Sequence, residues 1–440
     1  IEMPKQIKLE IANEHPETGQ WVYAELELPA EEHEIRDAFQ RARITDADTY
    51  HEYSIYECEA IPMLPFRRLD SPTIDELNFL AQRLDSLNED ERLVLRAVSP
   101  KILKVGEDEL VSPKDLINLT YGLENVSIIS NVSNPQQLGQ FVIENDMHTD
   151  VEAVPEDSLY LLDKMKIGQI QQQNDGGVFM DGNYIVAGEY QLPKVYDGQQ
   201  LPQSDVSTWY AFRLEVTHPP IYEDDELNSK TVWLSLPATE DEVKAVTDEL
   251  GMSDIRSCVY YAFESSVPQI ESDHFGDMQD FDSLNSLAEM MVEMTPADQV
   301  KFKAVLSAEE PSKIEDILDI ARNLHQYEHS YMVDDSSDFF REYILRHMDS
   351  RLDSHWFDTL LTRNEGDRLL TRLGATETDY GVISARGRSL YEIVPYEEQQ
   401  TEEQNIIANE QKITTYQQNV FGAEGVLTKK QEEMLKPKMD

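Results

Sequence analysis

The chain repeats one succession of sequence landmarks at a nearly constant offset. "LELPAEEHEI" starts at Leu26 and "LSLPATEDEV" starts at Leu234, so the first offset is 234 − 26 = 208. Five further pairs follow in the same order, namely Ile61-Pro62 with Val267-Pro268, "ELNFLAQRL" with "SLNSLAEMM", "KDLINL" with "EDILDI", "YLLDKMKIG" with "DTLLTRNEG", and "GGVFMDGNYIV" with "YGVISARGRSLYEIV". A conserved order at a fixed spacing indicates an internal duplication. The fold must therefore be one that roughly 170 residues can build twice.

The duplication sets the predicted domain boundaries. We assign residues 1–20 to an N-terminal extension, 21–190 to the first module, 191–230 to a connector, 231–395 to the second module and 396–440 to a Glu/Gln-rich tail or linker. The connector contains one candidate strand, "TWYAFRLEV". The chain begins with "IEMPKQ", without an initiator Met, as a fragment of a longer protein would.

Each module alternates strand and helix signals without a regular βαβ order. In the first module Val22, Ala24, Leu26 and Leu28 alternate with polar or aromatic residues, which predicts a half-buried strand. A short helix, a second strand, further helices and a closing strand pair are predicted to follow. We predict the α+β class: two tandem copies of an elongated, acidic module of small antiparallel sheets and short helices.

Local signals mark where several of these elements begin and end. Ser71-Pro72, Ser112-Pro113 and Thr295-Pro296 match an N-cap followed by Pro at the first helical position. Thr239 and Glu242 have the spacing of a capping box. The closing strand pairs are expected to turn at Asp181-Gly182 in the first module and at Arg386-Gly387 in the second.

The charge of the chain is the second unusual property. Its 86 acidic residues oppose 37 basic ones, so the net charge is 37 − 86 = −49. Solubility needs a net charge of only about 2 to 8 in a small domain. Because 40% of the residues are apolar, the acidity does not reflect a disordered chain. A solvated acidic coat, as in halophilic proteins, is the alternative that composition leaves open.

The acidic residues are also concentrated in segments without cations. Residues 257–300 contain nine Asp or Glu and no Lys or Arg, and residues 115–163 also contain no cation. On a helix over residues 282–294, Asp282, Glu289 and Glu293 share one row, opposite an apolar face. Like charges at this spacing cost a few tenths of a kcal/mol each. Such a helix is expected to present negative charge to a partner.

A regular array of negative charge is the property of nucleic acid. Since B-DNA carries one charge per about 1.7 Å, a charge of −49 corresponds to roughly 83 Å, or about 24 base pairs. A nucleic-acid binder is disfavoured because no basic patch with aromatic residues is present. The pattern instead predicts a DNA mimic without direct nucleic-acid binding. Its predicted surface comprises Asp146, Asp150, Glu152, Glu156, Asp157, Glu223, Asp224, Asp225, Glu226, Asp277, Asp280, Asp282, Glu289, Glu293 and Asp298.

The repeated segments of the two modules also resemble a known protein family. "LELPAEEHEIRDAF", then "YECEAIP" and "LNFLAQRLDSL", resembles the ArdA antirestriction family, and "LSLPATEDEV" and "LNSLAEMM" repeat the resemblance. It covers both modules, about three quarters of the chain. Family members are elongated, acidic, dimeric DNA mimics from conjugative plasmids and transposons. They block type I restriction-modification enzymes by occupying the DNA-binding site of the methyltransferase core. Since members usually carry one module, the resemblance implies either a monomer with two modules or a homodimer.

Two alternatives come from other functional classes. His325-Gln326-Tyr327-Glu328-His329 has the H-x-x-E-H spacing of a zinc hydrolase, in which two His one helical turn apart bind zinc. The other is an acidic, histone-like chaperone, or an inhibitor of another defence system such as CRISPR. "DDSSDFF" and "DMQDFDS" lack the Gly and Glu of a calcium-binding EF-hand loop.

We predict a non-enzymatic protein without catalytic residues, cofactor or metal. Two cysteines, Cys58 and Cys258, provide no disulfide framework, and no apolar run reaches the roughly 20 residues that span a bilayer. The expected location is therefore the cytoplasm, without a membrane association.

Overall fold

A three-stranded antiparallel sheet opens each half of the chain. The first has the order β2-β1-β3 and consists of β1 (Ile7–Glu14), β2 (Trp21–Leu28) and β3 (His51–Cys58). A second small sheet, of order β4-β6-β5, consists of β4 (Ile128–Ile129), β5 (Val178–Met180) and β6 (Asn183–Ile185). The same two orders recur as β8-β7-β9 and β10-β12-β11, with β7 (Phe212–Thr217), β8 (Thr231–Leu236), β9 (Val259–Ser265), β10 (His329–Ser330), β11 (Ala375–Thr378) and β12 (Gly381–Ser384).

The computed structural model describes residues 4–14, 21–45, 50–103, 110–145, 147, 154–202, 209–219, 230–347 and 362–394. We refer to residues 4–202 as the first half and to residues 209–390 as the second half. Contacts join both halves into one unit that ends at Leu390. The other unit, Tyr391–Asp440, is described only at residues 391–394, which form no helix or strand. The predicted tail, 396–440, lies outside the described residues.

Helices fill the sequence between the two sheets of each half. Those of the first half are α1 (Glu32–Arg41), α2 (Ile74–Asp85), α3 (Glu89–Ile102), α4 (Pro113–Leu119), α5 (Pro135–Glu144) and α6 (Lys164–Asp175). Those of the second half are α7 (Glu240–Leu250), α8 (Ser272–Phe275), α9 (Phe281–Glu293), α10 (Pro296–Glu309), α11 (Ile314–Arg322), α12 (Ser336–His347) and α13 (Thr362–Leu373). Short 3₁₀ helices lie at Leu64–Phe66, Leu123–Asn125, Glu156–Leu161, Ala187–Glu189, Ile255–Ser257, Met278–Asp280 and Leu324–Gln326. The predicted α+β class is confirmed.

The central strand of each opening sheet lies where we predicted an extension or a connector. Residues 7–14 belong to the predicted extension, yet β1 pairs with both neighbours, and Leu9 faces Leu26 and Ile55. Likewise β7 lies within residues 191–230, where "TWYAFRLEV" predicts a strand, and it pairs with β8 and β9. A strand with partners on both sides is the most strongly held of its sheet, so the fold of each half starts one strand earlier than predicted.

One asparagine in each half ties the middle helices to the turn that follows the opening hairpin. The Ala30 N–H donates to Asn78 Oδ1 at 2.7 Å, and Asn78 Nδ2 donates to the Ala30 carbonyl at 2.9 Å. Asn285 makes the same pair of bonds with Ala238, at 2.8 and 3.1 Å. Because the polar groups of this turn are satisfied by α2 or α9, the helix α1 or α7 starts at a defined position.

The predicted helix starts are confirmed with one exception. Ser112 and Thr295 precede Pro at the first position of α4 and α10, and Thr239 forms the capping box of α7. The prediction at Ser71-Pro72 is wrong, because α2 starts at Ile74 with Thr73 as its N-cap. The Thr73 hydroxyl accepts from the Glu76 N–H at 3.2 Å, and Glu76 accepts from the Thr73 N–H at 3.1 Å. This capping box satisfies two backbone donors, which a serine followed by Pro does not.

The closing sheet of the second half differs from its prediction. The strand pair turns at Asp379-Tyr380, between β11 and β12, whereas Arg386-Gly387 follows the last strand. The first-half pair turns at Asp181-Gly182, as predicted. Gly381, with φ of 106°, adopts a conformation that favours glycine, and it starts β12 rather than β11. The landmark pair "GGVFMDGNYIV" and "YGVISARGRSLYEIV" instead aligns Gly381 with Gly177, which precedes β5.

Close helix packing at glycine completes each half. A Cβ at Gly139 of α5 would lie 1.8 Å from the Lys164 carbonyl oxygen, and one at Gly168 of α6 would lie 1.8 Å from that of Pro135. In the second half a Cβ at Gly366 of α13 would lie 2.1 Å from the Ser336 carbonyl oxygen of α12. The two backbones touch, so no larger residue fits without a shift.

Each half builds its own apolar core between its opening sheet and its middle helices. The inner side chains of β1 and β2 pack on α2 and α3 in the first half, and those of β7 and β8 pack on α9 and α10 in the second. Separate cores make the contact between the halves an interface rather than a continuous interior. No helix among the described residues is long and apolar enough to cross a membrane.

Candidate partner-binding surfaces

The outer face of the first sheet carries a grid of carboxylates. In β1, Ile7, Leu9 and Ile11 point inward, so Lys8, Glu10 and Ala12 point outward. The register places Glu27 and Glu57 beside Lys8, Glu25 and Ser54 beside Glu10, and Tyr23 and Glu52 beside Ala12. We call this surface the acidic sheet face and define it by Glu10, Glu25, Glu27, Glu52 and Glu57.

One cation balances only part of this face. Lys8 Nζ lies 3.2 Å from Glu57 and 3.5 Å from Glu27, and the hydrogen bond to Glu57 raises the pKa of Lys8. Glu10 stands directly opposite Glu25, and neither carboxylate has an ion pair within the described part of the chain. Like charges in directly opposed positions of a sheet destabilise it. The net charge of the face is 1 − 5 = −4.

A second acidic surface lies along α9 and the 3₁₀ helix that precedes it. Asp277, Asp282, Glu289 and Glu293 are exposed, and Asp280 is half-buried. These five residues define the acidic helix face. Leu284, Leu287, Ala288 and Met291 form the buried side of α9, so the predicted amphipathic helix is confirmed. The carboxylates of the four exposed residues therefore point away from the core.

The charge of this helix face differs in two details from the prediction. Arg256, one residue before the cation-free segment, forms an ion pair with Asp282 and compensates its charge. Glu315, at the start of α11, adds a negative charge beside this face. Burial, Glu315 and Asp277 together raise the pKa of Asp280. Asp298 is half-buried and its carboxylate accepts from the hydroxyl of Thr295, the N-cap of α10, at 2.7 Å. Its role is structural as well as electrostatic.

The remaining predicted surface residues divide into two groups. Glu156 and Asp157 are exposed on the 3₁₀ helix Glu156–Leu161. The others lie outside the described residues; they are Asp146, Asp150, Glu152, Glu223, Asp224, Asp225 and Glu226.

Sequence reasoning missed the acidic sheet face. The alternation in β2 indicated that Tyr23, Glu25 and Glu27 share one side. It did not reveal that Glu10, Glu52 and Glu57 lie beside them, because β1 was assigned to an extension and the register needs both partners. The pattern Ile7, Leu9, Ile11 was the available signal, and it predicts a strand with the same period of two.

The two halves meet where α1 contacts α10 and the β11–β12 turn. Asp37 of α1 is buried, and its Oδ1 accepts from Lys303 Nζ at 2.6 Å and from the Tyr380 hydroxyl at 2.7 Å. Lys303 also donates to Gln40 Oε1 at 2.8 Å, and Arg41 Nε donates to Asp37 Oδ2 at 3.0 Å. Burial alone would raise the pKa of Asp37, but Lys303 and the hydrogen bonds to the carboxylate hold it below its usual value.

A second pair of contacts crosses the same interface. Arg43, which is 2% exposed and follows α1, donates to the Asp379 carbonyl at 2.6 Å and to the Val333 carbonyl at 3.3 Å. In return, the Tyr331 hydroxyl donates to the Gln40 carbonyl at 2.9 Å. We call the contacts of Asp37, Gln40, Arg43, Lys303, Tyr331 and Tyr380 the junction. Asp37 and Lys303 are buried as an ion pair, whereas Arg43 is held mainly by backbone carbonyls, with Asp334 at 4.0 Å.

A cleft of about 630 Å³ opens beside the junction. Its walls are mostly apolar and include Ile35 and Phe39 of α1 and Val300 of α10. Of its charged residues, Glu32 and Arg36 pair with each other at 2.6 Å. The cleft therefore offers shape and apolar contact rather than an arrangement of reactive groups.

The H-x-x-E-H segment does not have the geometry of a zinc peptidase. Leu324–Gln326 is a 3₁₀ helix and His329 lies in β10, so the two imidazoles do not share a helix face. His329 Nε2 bonds to the Tyr380 carbonyl at 2.8 Å, and burial lowers the pKa of His329 to about 4. Glu328 accepts from the Leu390 N–H at 2.8 Å. In the described ranges, no group of three or more His, Cys, Asp or Glu is placed to hold a metal ion.

Comparison with known proteins adds no family assignment. No protein-family model matches the chain, and no curated protein matches it in sequence. The acidic sheet face, the acidic helix face and the junction are therefore the observations on which a function must rest.

Proposed function

We propose that this protein is a DNA mimic that inhibits a DNA-binding enzyme of a host defence system. It would act in the cytoplasm by occupying the groove in which the enzyme holds DNA. The observation that carries the proposal is the acidic sheet face, where Glu10 and Glu25 stand opposite each other without a cation. A sheet optimised for stability alone places opposite charges or apolar groups in such positions.

The charge density of this face is comparable with that of DNA. Lys8 to Ala12 covers roughly 14 Å along the strand, at about 3.4 Å per residue. Over that length B-DNA carries about eight phosphate charges, distributed around its circumference. The half that faces a bound protein therefore presents about four charges, and the acidic sheet face has a net charge of −4. A groove lined with Lys and Arg would find a similar field on either surface.

The resemblance to the ArdA family points to one class of target. The segments that carry it include the end of β2 and α1, directly behind the acidic sheet face. We therefore infer that the partner is the methyltransferase core of a type I restriction-modification enzyme. Affinity would come mainly from Lys and Arg of the enzyme, so it would fall steeply as salt rises.

Competition binding tests the proposal directly. The protein is added to a purified type I methyltransferase complex with its cognate duplex, at low and at high salt. We expect protein and duplex to exclude each other and the affinity to fall with salt. Simultaneous binding of both would contradict mimicry. An acidic histone-like chaperone is distinguished in the same experiment, because it would bind histones and other basic proteins as tightly as the methyltransferase.

A further inference from the structure

The junction is formed by charged and polar groups that each half supplies to the other. Asp37 and Arg43 come from the first half, and their partners Lys303, Tyr380 and the Asp379 carbonyl come from the second. A buried ion pair contributes little net stability, because desolvation offsets the attraction. Its value lies in specifying one geometry, since any other arrangement leaves a buried charge without its partner. The junction therefore selects one orientation of the halves.

The equivalent surfaces elsewhere in the chain lack these groups. At the offset of 208, Asp37 and Arg43 of the first half correspond to Ala245 and Gly251 of the second. Arg96 occupies in α3 the position that Lys303 occupies in α10, at an offset of 303 − 96 = 207. Arg96 pairs with Asp181 of its own half at 2.8 Å. The set of contacts that docks α1 on α10 is therefore not available to α7 and α3.

Each side of the junction is attached to one acidic surface. α1 packs against the inner side of the first sheet, where Ala38 and Leu26 belong to one core cluster, and the acidic sheet face is the outer side. α10 starts at Pro296, three residues after the end of α9, which carries the acidic helix face. The ion pair of Asp37 with Lys303 thus connects the elements that support the two surfaces.

We propose that the junction holds the acidic sheet face and the acidic helix face in one fixed arrangement, so that they bind one partner as a single bivalent surface. This inference rests on the proposed function for the identity of the partner. Two linked surfaces bind more tightly than either alone by about 10²- to 10⁴-fold when their spacing matches the partner. Asp37 and Lys303 are positioning residues in this scheme, since neither is exposed to the partner.

Lys303→Glu is the variant that opens the junction, because it places a second carboxylate beside the buried Asp37. Lys313→Glu is the matched control: the charge change is the same, but Lys313 is exposed at the start of α11. Spin labels on cysteines introduced at exposed Gln173 and Ser235 report the distance between the halves. Cys58 and Cys258 are buried, and burial raises the pKa of both thiols, that of Cys58 to about 11, so they react slowly with the label.

The distance distribution tests the junction without any partner. We expect one narrow distribution for the unmodified protein and for Lys313→Glu, and a broad one for Lys303→Glu. A narrow distribution in Lys303→Glu, or a broad one in the unmodified protein, would overturn the inference. If Lys303→Glu fails to fold, Asp37→Asn, which removes the charge but keeps the side-chain shape, takes its place under the same criteria.

Binding then tests the bivalent surface. In Lys303→Glu we expect the affinity for the methyltransferase to fall at least 10²-fold, and the slope of log affinity against log salt to become shallower, because one surface binds at a time. An unchanged slope in a variant with separated halves would overturn the bivalent role. If the unmodified protein does not bind the methyltransferase at all, the proposed function fails while the distance measurement still decides the fixed arrangement.

Discussion

The opening sheets of the two halves share one strand order and differ in the chemistry of their outer faces. In the first, Glu10 lies between Glu25 and Ser54. In the second, Glu215 lies between Trp233 and Ala262, and the neighbouring Arg213 pairs with Glu264 at 2.5 Å and stacks 4.6 Å from the Trp233 ring. The outer face of the first sheet has five carboxylates for one cation, Lys8, whereas the second has two carboxylates, Glu215 and Glu264, for Arg213. The shared strand order therefore does not require an acidic outer face, and we attribute the first face to the proposed partner.

The largest expected effect comes from removing the acidic sheet face. Changing Glu10, Glu25, Glu27, Glu52 and Glu57 to Gln should weaken inhibition of the target by on the order of 10²- to 10³-fold, because about five charge contacts with the enzyme are lost. Glu215→Gln with Glu264→Gln is the control on the second sheet and should leave inhibition nearly unchanged. Titration of restriction activity measures both. Equal losses of inhibition from changes on the two sheets would contradict the idea that only the first outer face binds the target.

Acid should lower the stability of the second half more than that of the first. His329 lies in β10, whereas the equivalent strand β4 consists of Ile128 and Ile129, which do not titrate. The pKa of His329 is about 4 in the folded protein and 6.5 in the unfolded chain. The unfolded chain therefore binds the proton more readily, and the stabilisation is complete above pH 6.5 and lost as the pH falls toward 4. The loss is at most about 3 kcal/mol. Hydrogen exchange of the second half at pH 7 and pH 4.5 measures it.

His329→Gln is the control for this pH dependence. Gln cannot titrate, so the additional loss of protection between pH 7 and pH 4.5 should disappear from the second half. The first half should respond to pH in the same way in both proteins. If the two halves lose protection in parallel in the unmodified protein, the buried imidazole is not the cause.

Asn78 and Asn285, which bind the turn after each opening hairpin, should contribute equally to the stability of their halves. Asn78→Ala and Asn285→Ala each remove two hydrogen bonds to one alanine backbone. Each change should lower the free energy of unfolding of its half by about 2 kcal/mol, since bonds of this kind contribute about 1 kcal/mol apiece. Denaturant unfolding of each variant gives the values. A large effect in only one half would show that the halves are less alike than their strand orders.

Much of this fold was accessible from local signals. α9, the capping box of α7 and the Pro-initiated helices α4 and α10 follow from spacing within about ten residues. The segment "TWYAFRLEV" predicts a strand at β7, but the sequence does not show that β1 and β7 are central, because one partner of each, β3 or β9, is distant in sequence. The acidic sheet face and the junction depend on the same long-range pairing. No property of Asp37 in the sequence indicates that Lys303, 266 residues away, is its partner.

The smallest predicted effect concerns the stability of the first sheet itself. Glu25→Thr removes the repulsion between Glu25 and Glu10 and introduces a residue with high strand propensity. We expect the free energy of unfolding to rise by about 0.5 kcal/mol. The matched change Trp233→Thr on the second sheet should lower it, because Arg213 loses its aromatic neighbour. Thermal unfolding at low salt measures both, and high salt should reduce the gain from Glu25→Thr, since screening weakens the repulsion. A stabilised protein that inhibits less well would show that this sheet gives up stability for its charge.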